Sequence, residues 1–332
     1  MNKSDIIFVF PGQGAQSIGM GQDFYNEYSE AKEVFEEVSD ALQQDMGHLI
    51  FNGDDAELSL TSNTQPAIMT VSVAIARTLL NALGKHSIDE CAFAAAGHSL
   101  GEYSALCMAN SISLHDTAKI LRKRGEAMQN AVPVGVGAMS VLLGASISDA
   151  HNLIKQLYNE IKNSPQYNPA IDYVCEVANY NSSNQIVLSG HKEMISLTSA
   201  LAPQHGIKRA IELPVSAPFH CSLMESAANS MRHTLEAITI NDPTLKIIHN
   251  YDAQYNEDAS IITDMLVKQI PNMVQWRNTM HKIQASNTKI IIECGPGNKV
   301  LTNLFRREFP DSDIKNYSIS SIKELDDLLK MV

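Results

Sequence analysis

The sequence predicts an α/β fold in which a mostly parallel sheet is wrapped by helices and carries a smaller ferredoxin-like α+β subdomain. The first observation is that short, continuous apolar runs alternate with longer segments of helical periodicity, as in sheets whose strands are buried on both faces. The second is a segment rich in Val, Gly and Pro at 131–137, after which strands and helices follow a different order. We therefore expect a core formed by residues 1–132 and 205–332, with an inserted subdomain at residues 133–204.

Size and charge restrict the function classes open to this chain. At 332 residues it can bury a large core, and a formal net charge of −12 argues against non-specific binding to nucleic acid or anionic membranes. Five cysteines without a C-x-x-C pair suit a reducing compartment and indicate no metal site. The first residues lack a signal-peptide pattern, and no apolar run approaches membrane-spanning length. We expect a cytoplasmic protein that binds no metal, nucleic acid or membrane.

The core elements follow from the hydrophobic pattern. Strands are expected at 6–10, 91–96, 245–250, 288–293 and 314–319. Helices are expected at 21–41, 61–83, 114–129, 223–240, 261–270, 300–307 and 322–329. Pro66 fits the first turn of the second of these helices. The segment Pro-Gly-Gln-Gly at 11–14 ends the first strand; its glycines flank Gln13 and would let a backbone N–H approach a ligand, and a plain tight turn is the alternative.

The subdomain is predicted from the order strand, helix, strand, strand, helix, strand, which is that of a ferredoxin-like unit. Its elements are expected at 138–143, 147–161, 173–178, 185–188, 192–205 and 208–213. The sequence shows no internal repeat and no low-complexity segment.

The segment Gly-His-Ser-Leu-Gly at 97–101 matches the Gly-x-Ser-x-Gly pattern of a nucleophile elbow. A predicted strand ends at it and a helix-favouring segment follows, which is the context that such an elbow requires. Ser99 would then lie at a helix N-terminus, where backbone N–H groups favour developing negative charge. An elbow on a parallel sheet predicts an α/β-hydrolase-like core. The alternative is that Ser99 only caps the helix and the glycines only form a turn.

A serine nucleophile needs a base, and His220 is the best candidate among 11 histidines. It lies in Leu-Pro-Val-Ser-Ala-Pro-Phe-His-Cys at 213–221, where a strand ends, two prolines stiffen the loop and a helix follows. The carboxyl ends of strands are where sites form in open α/β sheets. A hydrogen-bonded loop histidine is the alternative. His98 is expected to form a wall of the pocket, since neighbouring side chains on an elbow diverge.

The basic cluster Arg122-Lys123-Arg124 has two interpretations. Such a cluster is commonly a solvated helix face. An arginine can also bind a carboxylate through two parallel hydrogen bonds, and would then select a substrate acyl group that carries a free carboxylate.

Taken together, the ordered motifs resemble the malonyl-CoA:acyl carrier protein transacylase family of bacterial type II fatty acid synthesis. The resemblance covers nearly the whole chain. Its motifs are Phe-Pro-Gly-Gln-Gly-Ala-Gln at 10–16, Thr-Gln-Pro-Ala at 64–67, Gly-His-Ser-Leu-Gly-Glu-Tyr-Ser-Ala-Leu at 97–106, Leu-Arg-Lys-Arg-Gly-Glu-Ala-Met-Gln at 121–129, Asn-Tyr-Asn-Ser at 179–182, the His220 segment at 213–221, Val-Gln-Trp at 274–276 and Glu-Cys-Gly-Pro-Gly at 293–297.

The resemblance implies a catalytic role at each matching position. Ser99 would be the nucleophile, and His220 the general base and then the general acid. The backbone N–H groups of Leu100 and Gln13 would form the oxyanion hole. The backbone carbonyl of Gln269 would orient the histidine ring in place of an acidic residue, which suffices to fix the imidazole tautomer.

Substrate binding is likewise implied by the resemblance. Arg124 would bind the malonyl carboxylate, and Asn179 and Gln185 fall where the family lines its acyl or pantetheine channel. The sequence departs from the family at 183–184, where Ser-Asn replaces the commoner Pro-Gly, and at 158–172, which has no motif counterpart. Phe219 before the histidine suggests malonyl over branched acyl groups.

The implied reaction is a two-step exchange: Ser99 takes the malonyl group from malonyl-CoA, and the phosphopantetheine thiol of holo acyl carrier protein then takes it from the serine. No cofactor is required. Docking of the acidic carrier is expected at a local basic patch near the site mouth. A monomer is expected because no heptad or other interface pattern appears.

Three other interpretations remain open at this point. A serine esterase or thioesterase would share the elbow, but such enzymes usually orient the histidine with Asp or Glu and do not need a carboxylate clamp. A non-catalytic carrier-binding protein would not need the full set of catalytic residues. A stand-alone acyltransferase of polyketide synthesis would have nearly the same sequence.

Overall fold

A computed structural model describes residues 3–165, 167–215, 217–297 and 299–331 of the protein. Its strands are β1 Ile6–Phe10, β2 Ala94–Gly97, β3 Gly137–Leu143, β4 Cys175–Ser182, β5 Gln185–His191, β6 Arg209–Glu212, β7 Lys246–Ile248, β8 Tyr255–Asn256, β9 Ile290–Cys294 and β10 Lys315–Ile319. Its α-helices are α1 Gln22–Glu27, α2 Ser29–Leu42, α3 Met46–Asn52, α4 Asp55–Leu58, α5 Thr61–Ala82, α6 Gly101–Met108, α7 Leu114–Gln129, α8 Ile147–Glu160, α9 Lys192–Ser196, α10 Thr198–Leu201, α11 Glu225–Glu236, α12 Ala259–Gln269, α13 Trp276–Gln284, α14 Val300–Glu308 and α15 Ile322–Leu329.

The larger sheet has six strands in the order β10-β9-β1-β2-β7-β8. All neighbouring pairs are parallel except β7 and β8. The register pairs Phe10 with Gly97, so β1 and β2 end side by side at the carboxyl edge of the sheet. The predicted mostly parallel α/β core is therefore confirmed, and the loops that carry the Gln13 and Ser99 motifs leave the sheet as neighbours.

Strand β1 lies in the middle of this sheet and is buried at all five positions. Because side chains alternate along a strand, Ile6, Phe8 and Phe10 pack into a large cluster with apolar residues of α2, α5, α7, α11 and α12. Ile7 and Val9 pack on the opposite face with residues of α13 and α14. This two-sided burial explains why β1 is continuously apolar in sequence.

The smaller sheet is antiparallel, with the order β4-β5-β3-β6. Numbered within the subdomain, this is the order 2-3-1-4 of a βαββαβ ferredoxin-like unit, and helices α8 and α9 share its separate apolar cluster. The division of the chain at 132 and 204 stays a prediction. Strand β6 pairs with β3 although it lies beyond 204, so a boundary drawn by sheet membership follows Glu212.

The structure differs from the sequence predictions in several elements. Pro66 is the sixth residue of α5, not in its first turn, because the helix already begins at Thr61. The helix expected at 192–205 is divided into α9, α10 and a 3₁₀ segment, Ala202–His205, in which Pro203 cannot donate the next helical hydrogen bond. Helices α3, α4 and α13 were not predicted, although the apolar residues of α13 at 276, 280 and 283 have helical spacing.

Within the described residues, no helix combines the length and the apolar character needed to cross a membrane.

Candidate active site

The serine motif forms a tight strand–turn–helix at the carboxyl edge of the larger sheet. Strand β2 ends at Gly97, Ser99 has a positive φ of 53°, and α6 begins at Gly101. A Cβ on Gly97 would lie 2.0 Å from the carbonyl group of Gly101, and one on Gly101 would lie 2.2 Å from the oxygen of Phe10. Both glycines are therefore required by close backbone approach, as a nucleophile elbow demands.

The side chain of His220 lies against this serine. Its Nε2 is 2.8 Å from Oγ of Ser99, and its Nδ1 is 2.9 Å from the backbone oxygen of Gln269. A carbonyl can only accept, so Nδ1 carries the proton and Nε2 is left as the acceptor for the serine hydroxyl. His220 is buried and has a positive φ of 58°, so both members of the pair adopt a backbone conformation that side chains disfavour.

Burial lowers the pKa of His220 to about 3, with the charge of nearby Arg124 acting in the same direction and the bond to Gln269 opposing it. The ring is consequently neutral at physiological pH. A neutral imidazole 2.8 Å from a hydroxyl is in the protonation state that a general base requires.

Arg124 extends from α7 into the same group of side chains. It is buried, its Nη2 donates to Oγ of Ser99 at 3.1 Å and to Oε1 of Gln269 at 2.8 Å, and its Nη1 donates to Oε1 of Gln65 at 2.8 Å. None of the ion pairs between described residues includes it. Burial lowers the pKa of this guanidinium. The arrangement is that of a desolvated cation beside a nucleophile, ready for an anionic group of a substrate.

The other members of the basic cluster have different surroundings. Arg122 donates to the side chains of Asn63 and Gln44, and Lys123 is exposed and pairs with Glu126 on its own helix. The solvated-face interpretation therefore applies to Lys123, whereas Arg124 points inward.

A cleft of about 430 Å³ opens between the two sheets beside the elbow. Four of the predicted site residues line it: Gln13, His98, Asn179 and Gln185. Residues of α14, among them Leu301, Leu304 and Arg307, form the opposite side. Nε2 of His98 is 2.9 Å from Oδ1 of Asn181, so the elbow and strand β4 are joined across the cleft. The wall position expected for His98 agrees with this arrangement.

Two backbone N–H groups on and beside the elbow have no partner among the described residues. The N–H groups of Leu100 and Gln13 donate to no acceptor within the described part of the chain. Leu100 follows the nucleophile directly, and the Gln13 loop is held beside the elbow because the N–H of His98 donates to the oxygen of Phe10 at 2.9 Å. Their assignment to an oxyanion hole stays a prediction.

Sequence reasoning missed the residues that support the elbow from below. Asn250 accepts a hydrogen bond from the N–H of Ser99 at 2.6 Å and donates to the oxygen of Gly97 at 2.6 Å. It is the second residue after β7 and the last residue of the predicted strand 245–250, so its place at the carboxyl end of a strand was an available signal. Glu102 and Gln65 lie inside two of the motifs, which did not by themselves indicate their contacts. Within the described residues, no cluster of His, Cys, Asp or Glu is arranged to hold a metal ion.

Comparison with known proteins places this chain in a family. Residues 7–329 match the model of the acyl transferase domain, so the chain belongs to the acyl transferases. A malonyl CoA-acyl carrier protein transacylase of Bacillus subtilis (strain 168) is 40% identical over 304 residues, which cover 92% of this chain and 90% of that protein. Within the acyl transferases, the chain belongs to the malonyl CoA-acyl carrier protein transacylase family, as the resemblance of the motifs predicts.

Solved structures of malonyl transferases have the same fold as this chain. The acyl-carrier-protein-S-malonyltransferase from Bartonella henselae superposes with a TM-score of 0.90 at 40% identity, covering 98% of this chain and 99% of that chain. A malonyl-transacylase in complex with its type II PKS acyl-carrier protein gives a TM-score of 0.90 at 33% identity, covering 99% and 100% of the two chains.

Proposed function

We propose that this protein transfers the malonyl group of malonyl-CoA to the phosphopantetheine thiol of holo acyl carrier protein, through a malonyl ester on Ser99, in fatty acid biosynthesis. The observation that carries the proposal is the convergence on one hydroxyl: Oγ of Ser99 lies 2.8 Å from the base nitrogen of His220 and 3.1 Å from a guanidinium nitrogen of Arg124. The first contact serves acyl transfer, and the second selects an acyl group that ends in a carboxylate.

The first half-reaction begins with attack of Ser99 on the thioester carbonyl. His220 takes the serine proton on Nε2 while its Nδ1–H remains bonded to Gln269. The N–H groups of Leu100 and Gln13 stabilise the negative charge on the carbonyl oxygen of the tetrahedral intermediate. CoA then leaves as the thiol with the proton from His220. The malonyl ester stays on Ser99.

The second half-reaction reverses these roles. His220 takes the proton of the phosphopantetheine thiol, the thiolate attacks the malonyl ester, and Ser99 leaves with that proton. Both thiols are the ends of long, flexible arms, and we assign these arms to the cleft beside the elbow, whose lining includes Asn179 and Gln185. No cofactor takes part in either step.

Binding of the malonyl carboxylate to Arg124 also affects the base. The positive charge of Arg124 is the second cause, after burial, of the low pKa of His220. A bound carboxylate would offset that charge and raise the pKa of the imidazole toward the range of an effective base. A malonyl substrate would thereby improve the base that acts on it, which an acetyl group cannot do.

The test is an intact-mass measurement on the whole protein with malonyl-CoA or acetyl-CoA, before and after addition of holo acyl carrier protein. We expect a malonyl adduct that is absent in Ser99→Ala and is discharged onto the carrier. In Arg124→Ala the preference for malonyl over acetyl should fall. An adduct that decays to free malonate equally fast without the carrier would make the protein a hydrolase, and no adduct at all would rule out both.

A second candidate is the same transfer in polyketide synthesis. It is favoured by the similarity to the malonyl-transacylase that was solved with a type II PKS acyl-carrier protein. Comparing the rate of transfer to carriers of the two pathways separates the alternatives. We further propose that the protein is cytoplasmic, acts as a monomer and binds neither nucleic acid nor membrane, in keeping with its net charge of −12.

A further inference from the structure

A buried carboxylate lies beneath the reacting groups without touching the nucleophile. Glu102, the second residue of α6, is fully buried. Nδ2 of Asn256 can only donate and lies 3.3 Å from Nε2 of His249, so that ring carries its proton on Nδ1, which donates to Oε1 of Glu102 at 2.6 Å. Oε2 of Glu102 accepts from the backbone N–H of Asn250 at 3.0 Å and from Nε2 of Gln269 at 2.7 Å. Every one of these bonds is accepted by Glu102, which is the pattern of an ionised carboxylate.

Gln269 connects this carboxylate to Arg124. Its Nε2 donates to Glu102 and, at 3.0 Å, to the backbone oxygen of Ser99, while its Oε1 accepts from Nη2 of Arg124 at 2.8 Å. A carboxamide that turns by 180° exchanges its oxygen and nitrogen with little change of shape. An ionised carboxylate only accepts and a guanidinium only donates. Hence one orientation of the Gln269 carboxamide satisfies both neighbours, and the other satisfies neither.

We infer that Glu102 is a positioning residue for acyl selectivity: by fixing the carboxamide of Gln269, it holds the guanidinium of Arg124 beside Ser99. This inference rests on the proposed function, in which Arg124 binds the malonyl carboxylate. Without an acceptor-only group at 102, the NH₂ of Gln269 loses the shorter of its two contacts, 2.7 Å against 3.0 Å to the backbone oxygen of Ser99, and the carboxamide turns its NH₂ toward Arg124 more easily. Donor would then face donor, and the guanidinium would move away from Gln269 and from the nucleophile.

The direct test replaces Glu102 by glutamine, which keeps the size and removes the charge. The readout is the ratio of kcat/KM for malonyl-CoA to that for acetyl-CoA, with holo acyl carrier protein as acceptor. Both substrates use the same nucleophile, base and CoA contacts, so a general loss of folded protein or of catalysis cancels in the ratio. Because a hydrogen bond to a charged group is at stake, we expect Glu102→Gln to lower the ratio by about 10- to 100-fold.

Two controls separate positioning from a structural role. In a Gln269→Met background, Glu102→Gln should leave the ratio unchanged within about twofold, because the carboxamide through which Glu102 acts is gone. Glu293→Gln is the matched variant: Glu293 is equally buried and accepts bonds from the N–H groups of Leu301 and Thr302 and from the Thr302 hydroxyl, far along the chain from this network. It should cost stability and leave the malonyl-to-acetyl ratio as it is.

The inference is overturned if Glu102→Gln keeps the wild-type ratio, or if it changes the ratio equally in the Gln269→Met background. A crystal structure of Glu102→Gln gives an outcome that does not depend on the reaction. Separation of Arg124 from Gln269 beyond hydrogen-bonding distance supports the positioning role, and an intact bond at 2.8 Å contradicts it. If the wild type forms no malonyl adduct, the proposed function fails, and this structure still decides the role of Glu102.

Discussion

The two sides of the cleft are built differently. On the side of the parallel sheet, next to the residues that line the cleft, the half-buried Ser99 and the buried His220 and Arg124 form one network, each bonded to at least one of the others. On the side of the antiparallel sheet, the lining residues Asn179 and Gln185 are neutral and carry no charge-assisted bond to the reacting groups. In the proposed function, this difference would make the first side responsible for the reaction and the second side a guide for a long and flexible substrate arm.

Backbone strain is distributed in the same way. Six described non-glycine residues have a positive φ, and Ser99 and His220 are two of them. None of the six lies within 133–212, where the antiparallel sheet is formed. Positive φ at residues with side chains persists only where the surrounding structure enforces it. At Ser99 the parallel-sheet core supplies that enforcement through the close contacts of Gly97 and Gly101 and through the bonds of Asn250.

The largest expected effect tests the difference between the two sides with one residue from each, His220 and Gln185. Loss of a member of a nucleophile–base pair lowers kcat by about 10⁴-fold or more, so His220→Ala should lower the rate of carrier malonylation by that order. Gln185→Ala removes a neutral group and should change the rate less than about 10-fold, mainly through KM. Initial rates at varied malonyl-CoA concentration measure both. Comparable losses in kcat would mean that catalysis and substrate binding are not separated between the two sides.

The next effect concerns pH and tests how the charge of Arg124 acts on the pKa of His220. The base works when neutral, and its pKa in the free protein is lowered to about 3, so kcat/KM should not fall through an ordinary histidine titration near pH 6.5. Removing the cation in Arg124→Gln should raise the pKa of His220, which moves the acid limb of the acetyl-CoA profile to higher pH. Profiles of kcat/KM from pH 4.5 to 8 for both proteins test this.

The lowered pKa of His220 also makes the stability of the protein depend on pH, and this effect must be separated from the effect of pH on the rate. The unfolded chain binds a proton at His220 below pH 6.5, whereas the folded protein does so only near pH 3. The free energy of unfolding therefore decreases as pH falls between these two values. Rates should be normalised to the folded fraction, measured by circular dichroism at each pH. A wild-type acid limb near pH 6.5 after this correction would contradict the lowered pKa.

Sequence reasoning found the groups that are marked by local pattern. The apolar run of β1 and the Gly-x-Ser-x-Gly segment predicted a strand and an elbow, because both features need only neighbouring residues. The support of the elbow depends on contacts between distant positions: Asn250 is 151 residues from Ser99, and the carboxamide of Gln269 is 170 residues from it. No periodicity indicates such pairs. Local pattern likewise did not decide which of three adjacent basic residues turns inward; the family resemblance pointed to Arg124.

The smallest expected effect concerns the rim of the cleft. Arg307, in the last turn of α14, is exposed, lines the cleft and forms no ion pair with any described residue. Its basic neighbours are engaged: Arg306 donates to the oxygen of Asn316, and Lys299 pairs with Glu324. Arg307 is therefore the group best placed to attract an acidic carrier, which the charge of the whole chain does not do.

Charge reversal in Arg307→Glu should raise KM for holo acyl carrier protein by about 3- to 10-fold, with an effect that weakens as salt is added, since rim charges act mainly on association. Formation of the malonyl adduct from malonyl-CoA, measured separately by mass, should change less than its discharge onto the carrier. Lys123→Glu changes the net charge equally at an exposed position outside the cleft lining and is the control. Equal effects of the two reversals would mean that the carrier responds to overall charge, and a slowed adduct with normal discharge would assign Arg307 to CoA instead.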